Sequence, residues 1–105
     1  MKSNAVMKYL LLMVCLICPY CLSAQTEENA YIRRGNTQFK QDKFADADVN
    51  YRKALELNPT NSRARYNLGN ALLSQRKPKD AMKEYEEAVK TEKNPFFKAA
   101  IYHNM

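Results

Sequence analysis

The chain has 105 residues, enough for one small domain, and its 17 basic and 11 acidic residues give a net charge of +6. Its single histidine, His103, excludes multi-histidine metal centres and most histidine-based catalytic sites. Two glycines, no phosphate-binding loop and no paired carboxylates further argue against an enzyme. We therefore predict a non-catalytic chain without cofactor or metal.

The first 24 residues are organised like a secretory signal peptide. Lys2 and Lys8 precede a nine-residue apolar run at 9–17, and small residues end the segment. The run is shorter than the roughly 20 apolar residues that span a bilayer. We predict a signal peptide at 1–24, cleavage after Ala24, and a mature protein in the periplasm or cell envelope.

Cysteines in the same segment leave two alternatives open. Residues Cys18 to Cys21 spell the active-site motif of glutaredoxins, although that chemistry needs a βαβ frame and no strand pattern follows. Acylation of Cys15 would make the segment a lipoprotein signal, although the residues before it lack the small side chain that processing needs. The first alternative is a membrane-tethered thiol-redox protein using Cys18 and Cys21. The second is a protein anchored by an uncleaved or lipidated N-terminus.

From residue 28 onward the sequence repeats itself with a period of 34 residues. Five pairs share this offset: Gly35 and Gly69, Asn36 and Asn70, Ala47 and Ala81, Tyr51 and Tyr85, and Ala54 and Ala88. The period and these residue types resemble the tetratricopeptide repeat, a helix–turn–helix unit. The resemblance implies an all-α solenoid. Apolar residues at three- and four-residue spacing predict helices at about 28–41, 44–57, 62–75, 78–91 and from about 97 onward.

The repeat divides the chain into two full units and part of a third. We predict repeat 1 at 28–61, repeat 2 at 62–95, and the start of a third first helix at 96–105. Alignment of 99–105 with 62–68 implies a three-residue insertion before the third unit. Solenoids usually need about three stacked repeats for stability. We therefore expect a truncated chain of marginal stability, or one end of a longer solenoid whose other repeats do the binding.

Small residues and tyrosines at fixed positions indicate where the helices of the solenoid approach closely. The predicted packing residues are Gly35, Ala47, Tyr51, Ala54, Gly69, Ala81, Tyr85 and Ala88. Pro78 fits the first turn of a helix, where the missing N–H is harmless. Pro59 and Pro95 are expected between units, where a helix should stop.

The resemblance also implies a binding surface, because the first helices of such repeats line a concave groove for extended peptides or partner helices. Carried over by position, the groove residues are Ile32, Asn36, Phe39, Lys40, Arg63, Tyr66, Asn70 and Leu73, with Arg33 and Arg65 at the rim. Amide, aromatic and cationic side chains suit an extended backbone with acidic or terminal carboxylate groups. The competing interpretation is that these residues only follow the repeat consensus.

A more specific ligand of the family is excluded by three positions. Some chaperone adaptors hold two carboxylates in a clamp of lysines, an arginine and two asparagines. Asn36 and Asn67 match the asparagines, but Ile32 and Ala100 stand where the lysines should be and Asn104 where the arginine should be. This chain therefore lacks that clamp.

Three segments, 31–36, 49–54 and 101–105, resemble the repeat proteins encoded in bacterial aerotolerance operons. That resemblance implies an exported scaffold in the bacterial envelope with a role in oxygen or stress tolerance. Its partners would be envelope proteins or peptides, among them membrane-anchored von Willebrand-type proteins. We expect no small-molecule substrate. We also expect no nucleic acid, since the cations are not interleaved with base-stacking aromatic residues.

Overall fold

The computed structural model describes the backbone of residues 2–105 and the side chains of residues 6–9, 23 and 25–105. Within this part of the chain there are five α-helices and no strand, so the all-α prediction is confirmed there. The helices are α1 (Lys2–Lys40), α2 (Phe44–Leu57), α3 (Ser62–Ser74), α4 (Pro78–Thr91) and α5 (Pro95–Asn104).

The observed bounds agree with the repeat at α2, α3 and α4 and differ at both ends of the chain. Helix α1 begins at Lys2 rather than near residue 28. Neither glycine nor proline occurs in 20–34, so nothing in the sequence interrupts the helix where the repeat starts. The predicted signal peptide lies within this helix, and its cleavage stays a prediction. The side chains of Cys18 and Cys21 lie outside the described residues. Among those that are described, no helix has the length and apolar character to cross a membrane.

Pro95 is the second correction, because it begins α5 instead of lying between units. Asn94 precedes it, and the side-chain Oδ1 of Asn94 accepts hydrogen bonds from the backbone N–H groups of Phe96 and Phe97. A proline at the first helical position loses no intrahelical hydrogen bond, and its fixed φ suits the helix. A proline near a repeat boundary can therefore start a helix as well as stop one.

The helices form two pairs, α1 with α2 and α3 with α4, and the first helix of each pair ends in the same way. Asp42 after α1 has φ 59°, and Arg76 after α3 has φ 61°. In both turns a backbone N–H bonds five residues back, from Lys43 to Gln38 and from Lys77 to Leu72. This is the hydrogen bond of a left-handed helix C-cap, a position at which glycine is commonest. The tight turn returns the second helix against the first.

A glycine–tyrosine contact fixes the distance between the two helices of each pair. A Cβ atom on Gly35 would lie 2.6 Å from Cε1 of Tyr51, and one on Gly69 would lie 2.5 Å from Cε1 of Tyr85. Real Cβ atoms do not approach another atom so closely, so only glycine leaves room for the ring. Side chains buried around these contacts form one continuous core: Ala47, Ala54, Leu55, Ala64, Leu68, Ala71, Leu72, Ala81, Ala88 and Ile101.

Polar contacts join the start of each repeat to the end of its own second helix. The amide Nδ2 groups of Asn58 and Asn61 both donate to Oε1 of buried Glu28, at 3.2 and 2.5 Å. In the second pair the hydroxyl of Ser62 donates to Oε2 of Glu92. That hydrogen bond and a second one from a backbone N–H hold the pKa of Glu92 below its ordinary value. Of these contacts, the one from Asn61, the N-cap residue of α3, links the second helix pair to the first.

Candidate peptide-binding groove

The first helices of the two repeats enclose an open cavity of about 200 Å³. Its walls come from α1, α2 and α3, and the residues that line it are Asn36, Phe39, Lys40, Tyr51, Asn67 and Asn70. Four of these were predicted groove residues and Tyr51 was a predicted packing residue. Asn67 was not among the predicted groove residues, although it occupies an asparagine position of the carboxylate clamp.

A three-residue hydrogen-bond network forms the floor of this cavity. The hydroxyl Oη of Tyr51 donates to Oδ1 of Asn36 at 2.6 Å. The amide Nδ2 of Asn67 donates to the same oxygen at 3.4 Å. One oxygen thus accepts a bond from its own repeat and another from the next repeat. The Asn36 side chain is thereby held in one orientation.

The same network recurs one repeat further along. The hydroxyl of Tyr85 donates to Oδ1 of Asn70 at 2.5 Å, and Nδ2 of Asn104 donates to that oxygen at 3.3 Å. Asn104 is therefore the counterpart of Asn67. The sequence separation between donor and acceptor asparagines grows from 31 to 34 residues, which is the three-residue insertion predicted from the alignment. The connection before α5 absorbs the insertion, and the network keeps its geometry.

These networks leave amide donors available in the groove. Within the described residues, Nδ2 of Asn36 and Nδ2 of Asn70 donate to no other group. Burial raises the pKa of Tyr51 from its ordinary value of 10.0 to about 12, so its phenol stays a neutral donor even at pH 10. Burial, with a smaller contribution from Tyr66, likewise raises the pKa of Tyr85 to about 12. Fixed N–H donors beside a cavity can bind the carbonyl groups of an extended chain.

The other predicted groove residues lie around this cavity. Ile32 borders a shallower depression together with Thr26, Asn29 and Arg33. Leu73 is 47% exposed on α3. Each therefore adds to the same face without lining the cavity.

Arg63 and Tyr66, both predicted groove residues, contact the third unit. The guanidinium of Arg63 lies 4.7 Å from the centre of the Phe97 ring, and the Tyr66 ring meets Phe97 edge-on at 5.2 Å. The Tyr66 hydroxyl accepts a hydrogen bond from Nδ2 of Asn104 at 2.5 Å. These two side chains therefore dock α5 against α3. The 34-residue offset could not show this, because the insertion moves Phe97 out of register.

The placement of Arg65 at the groove rim is wrong. Its Nη1 pairs with Oε2 of Glu84 at 2.9 Å, and its Nη2 donates to the carbonyl oxygen of Pro59 at the same distance. Arg65 lies two residues after Arg63, which turns it about 200° around the helix. It therefore joins α3 to α4 and to the preceding turn instead of facing the groove.

Among the described side chains, no group of three His, Cys, Asp or Glu residues could hold a metal ion. The groove provides amide donors, aromatic surface and a lysine, all of which serve recognition.

Comparison with known proteins identifies the family of this chain. Residues 32–96, more than half of the chain, match the profile of a family described as tetratricopeptide repeat. This chain belongs to the tetratricopeptide repeat family. Members of the family generally act as non-catalytic scaffolds that mediate protein–protein interactions. No curated protein matches the chain.

Proposed function

We propose that this tetratricopeptide repeat protein is an exported scaffold that binds extended segments of other proteins in the bacterial envelope. The observation that carries the proposal is the cavity between α1 and α3 with its fixed amide donors. Its volume of about 200 Å³ suits one side chain of a bound segment. The Asn36 and Asn70 amides stand ready for the segment's backbone, since their oxygens are already engaged.

A place in an aerotolerance or stress-tolerance complex is the finer part of the proposal. It is supported by the likeness of 31–36, 49–54 and 101–105 to the repeat proteins of aerotolerance operons. The partners would then be membrane-anchored von Willebrand-type proteins. Export is supported by the basic start, short apolar run and small residues of 1–24.

A photo-crosslinking experiment in the native host tests the binding function. The crosslinking amino acid benzoylphenylalanine replaces Leu73 on the groove side of α3 or, as the control, Met82 on α4. These two residues are comparably exposed, at 47% and 37%. We expect discrete protein adducts from position 73 and none of the same mass from position 82. Identical adducts from both positions, or none from position 73, would contradict binding in the groove.

The mass of the protein from a native envelope fraction tests export. We expect a chain that begins at Gln25, because cleavage is predicted after Ala24. A chain that begins at Met1 and carries alkylatable thiols at Cys18 and Cys21 would favour the membrane-tethered thiol protein instead. Recovery only from the cytoplasm would contradict export altogether.

A further inference from the structure

Acidic residues are distributed unequally between the first and the second helices of the repeats. From residue 29 onward the sequence has nine carboxylates, and all of them fall within 42–56 or 80–92. Those segments hold α2 and α4. The segments around the first helices, 29–41, 61–79 and 93–105, contain arginines and lysines but no acidic residue. From residue 29 onward the groove-lining helices therefore carry cations and no carboxylate, and the two carboxylates of α1, Glu27 and Glu28, come before that point.

Two of these cations lie on α1, Lys40 in the lining of the cavity and Arg33 in the adjoining depression. Asn29, Arg33, Asn36 and Lys40 are spaced by three or four residues, so they lie along one face of the helix. Neither Arg33 nor Lys40 forms an ion pair with any described residue. Seven residues separate them, which corresponds to about 10 Å along a helix. The free amide of Asn36 lies between them.

We propose that the groove selects an acidic ligand: an extended protein segment whose carboxylates lie about 10 Å apart, or roughly three residues of extended chain. Lys40 and Arg33 bind the two carboxylates, and Nδ2 of Asn36 donates to a backbone carbonyl between them. Hydrogen bonds between charged groups are roughly twice as strong as neutral ones. This inference rests on the proposed function and names the class of partner that the groove accepts.

The aromatic rings around the cavity favour a peptide over a nucleic acid. Phe39 is half-buried and packs edge-on against Phe44, with ring centres 5.0 Å apart. Tyr51 is only 2% exposed. The cavity therefore lacks the row of exposed rings on which successive bases stack, which is the main sequence-tolerant attraction for single strands. Amide donors and cations without such a row of rings suit a polypeptide.

Calorimetric titration of the full chain tests the acidic preference. The probes are a capped octapeptide with Asp at positions 2, 5 and 8 and Ala elsewhere, which spaces the carboxylates three residues apart, and the same peptide with Asn in place of Asp. We expect the acidic peptide to bind about tenfold tighter, with an advantage that shrinks as salt is added. Lys40→Gln and Arg33→Gln should each weaken it about fivefold. The matched control, Lys79→Gln, removes an exposed cation from the first turn of α4 and should leave the affinity unchanged.

Asn36→Asp adds a test of the amide. The aspartate can still accept from Tyr51 and Asn67, but it lacks the Nδ2 donor and repels carboxylates. We expect this variant to keep its thermal unfolding temperature and lose the acidic peptide.

Four outcomes would overturn the inference. Equal binding of the Asp and Asn peptides, when Asn36→Asp abolishes both, would refute the acidic preference and leave the proposed function standing. An equal loss from Lys79→Gln would show general charge attraction. Tighter binding of oligothymidylate of equal charge, with the same dependence on Lys40, would identify a nucleic-acid site. No binding of either peptide would count against both the acidic preference and the proposed function.

Discussion

The two helix pairs are nearly identical where their helices cross and different where the start of the repeat meets the end of its second helix. Inside each pair a tyrosine ring lies against a helical glycine, with hypothetical Cβ distances of 2.6 and 2.5 Å to the ring. Both pairs also turn through a non-glycine residue with φ near 60°. Close steric contact tolerates no exchange of side chains, so both the geometry and the residues repeat.

At the boundary of each repeat, where its first residue meets the end of its own second helix, equivalent positions exchange chemical roles. Glu28 and Ser62 are equivalent, as are Asn58 and Glu92, since each pair is separated by 34 residues. In the first boundary the carboxylate is on residue 28 and the donor on residue 58. In the second the donor is on residue 62 and the carboxylate on residue 92. A hydrogen bond requires one donor and one acceptor, and either helix can supply either group. Boundaries can therefore diverge while the pairs do not.

Replacing the packed tyrosines should have the largest effect and shows how equivalent the pairs are. Tyr51→Ala and Tyr85→Ala should each reduce the free energy of unfolding by about 3–5 kcal/mol, because each opens a cavity in the core. Tyr85 should cost more, since its ring also lies 5.8 Å from that of Tyr66. Phenylalanine at either position keeps the ring and should cost about 1 kcal/mol for the lost hydrogen bond. Urea denaturation followed by circular dichroism measures all four variants. Alanine costs below 1 kcal/mol would show that the rings do not hold the pairs together.

Adding a methyl group at the glycines tests the close contact itself. Gly35→Ala and Gly69→Ala should each destabilise by about 1–3 kcal/mol, because the new Cβ overlaps the tyrosine ring. Alanine otherwise favours a helix by up to about 1 kcal/mol over glycine, so an uncrowded site would give the opposite sign. Ser74→Ala, at an exposed position of α3, is the control and should change little. Stabilisation by Gly69→Ala would contradict the contact.

Exchanging the boundary chemistry tests whether roles can be swapped between helices. Glu28→Ser should cost about 1–3 kcal/mol, because it leaves the Asn58 and Asn61 amides without their acceptor. Adding Asn58→Glu recreates the arrangement of the second boundary and should recover most of that loss. Asn58→Glu alone places two carboxylates together and should destabilise. A double variant no better than the sum of its single variants would show that the boundaries are not interchangeable.

Alkaline pH should weaken both pairs in parallel. Burial raises the pKa of Tyr51 and of Tyr85 from the ordinary value of 10.0 to about 12. The neutral phenols thus stabilise the folded chain below pH 10, and this contribution is lost as the pH rises from 10 towards 12. Tyrosinate absorbance should show two late-titrating groups, and Tyr51→Phe and Tyr85→Phe should each remove one. Titration of both near pH 10 in the folded chain would contradict their burial.

The period predicted the helix pairs well because the features that define them, small residues facing tyrosines, depend on spacing alone. Helix α1 extended beyond its expected start since no breaker occurs in 20–34. The prediction that Arg65 lies at the groove rim was wrong because it followed the position in the repeat alone. Each residue turns a helix by 100°, so Arg65 points away from the face that carries Arg63. The pairing of Asn67 with Asn36 could not be read from spacing, because it depends on how far successive repeats rotate. Only the folded chain shows which amides remain free.

Resonances of the asparagine side-chain amides offer the most direct test of binding in the groove. Nitrogen-15 spectra of the full chain are recorded as the octapeptide with Asp at every third position is added. We predict that the amide signals of Asn36, Asn67 and Asn70 shift, since these residues line the cavity. Those of Asn58 and Asn61 should stay in place, since they are engaged with Glu28. Shifts confined to Asn58 and Asn61 or to α4, or no shift at Asn36, would contradict the account.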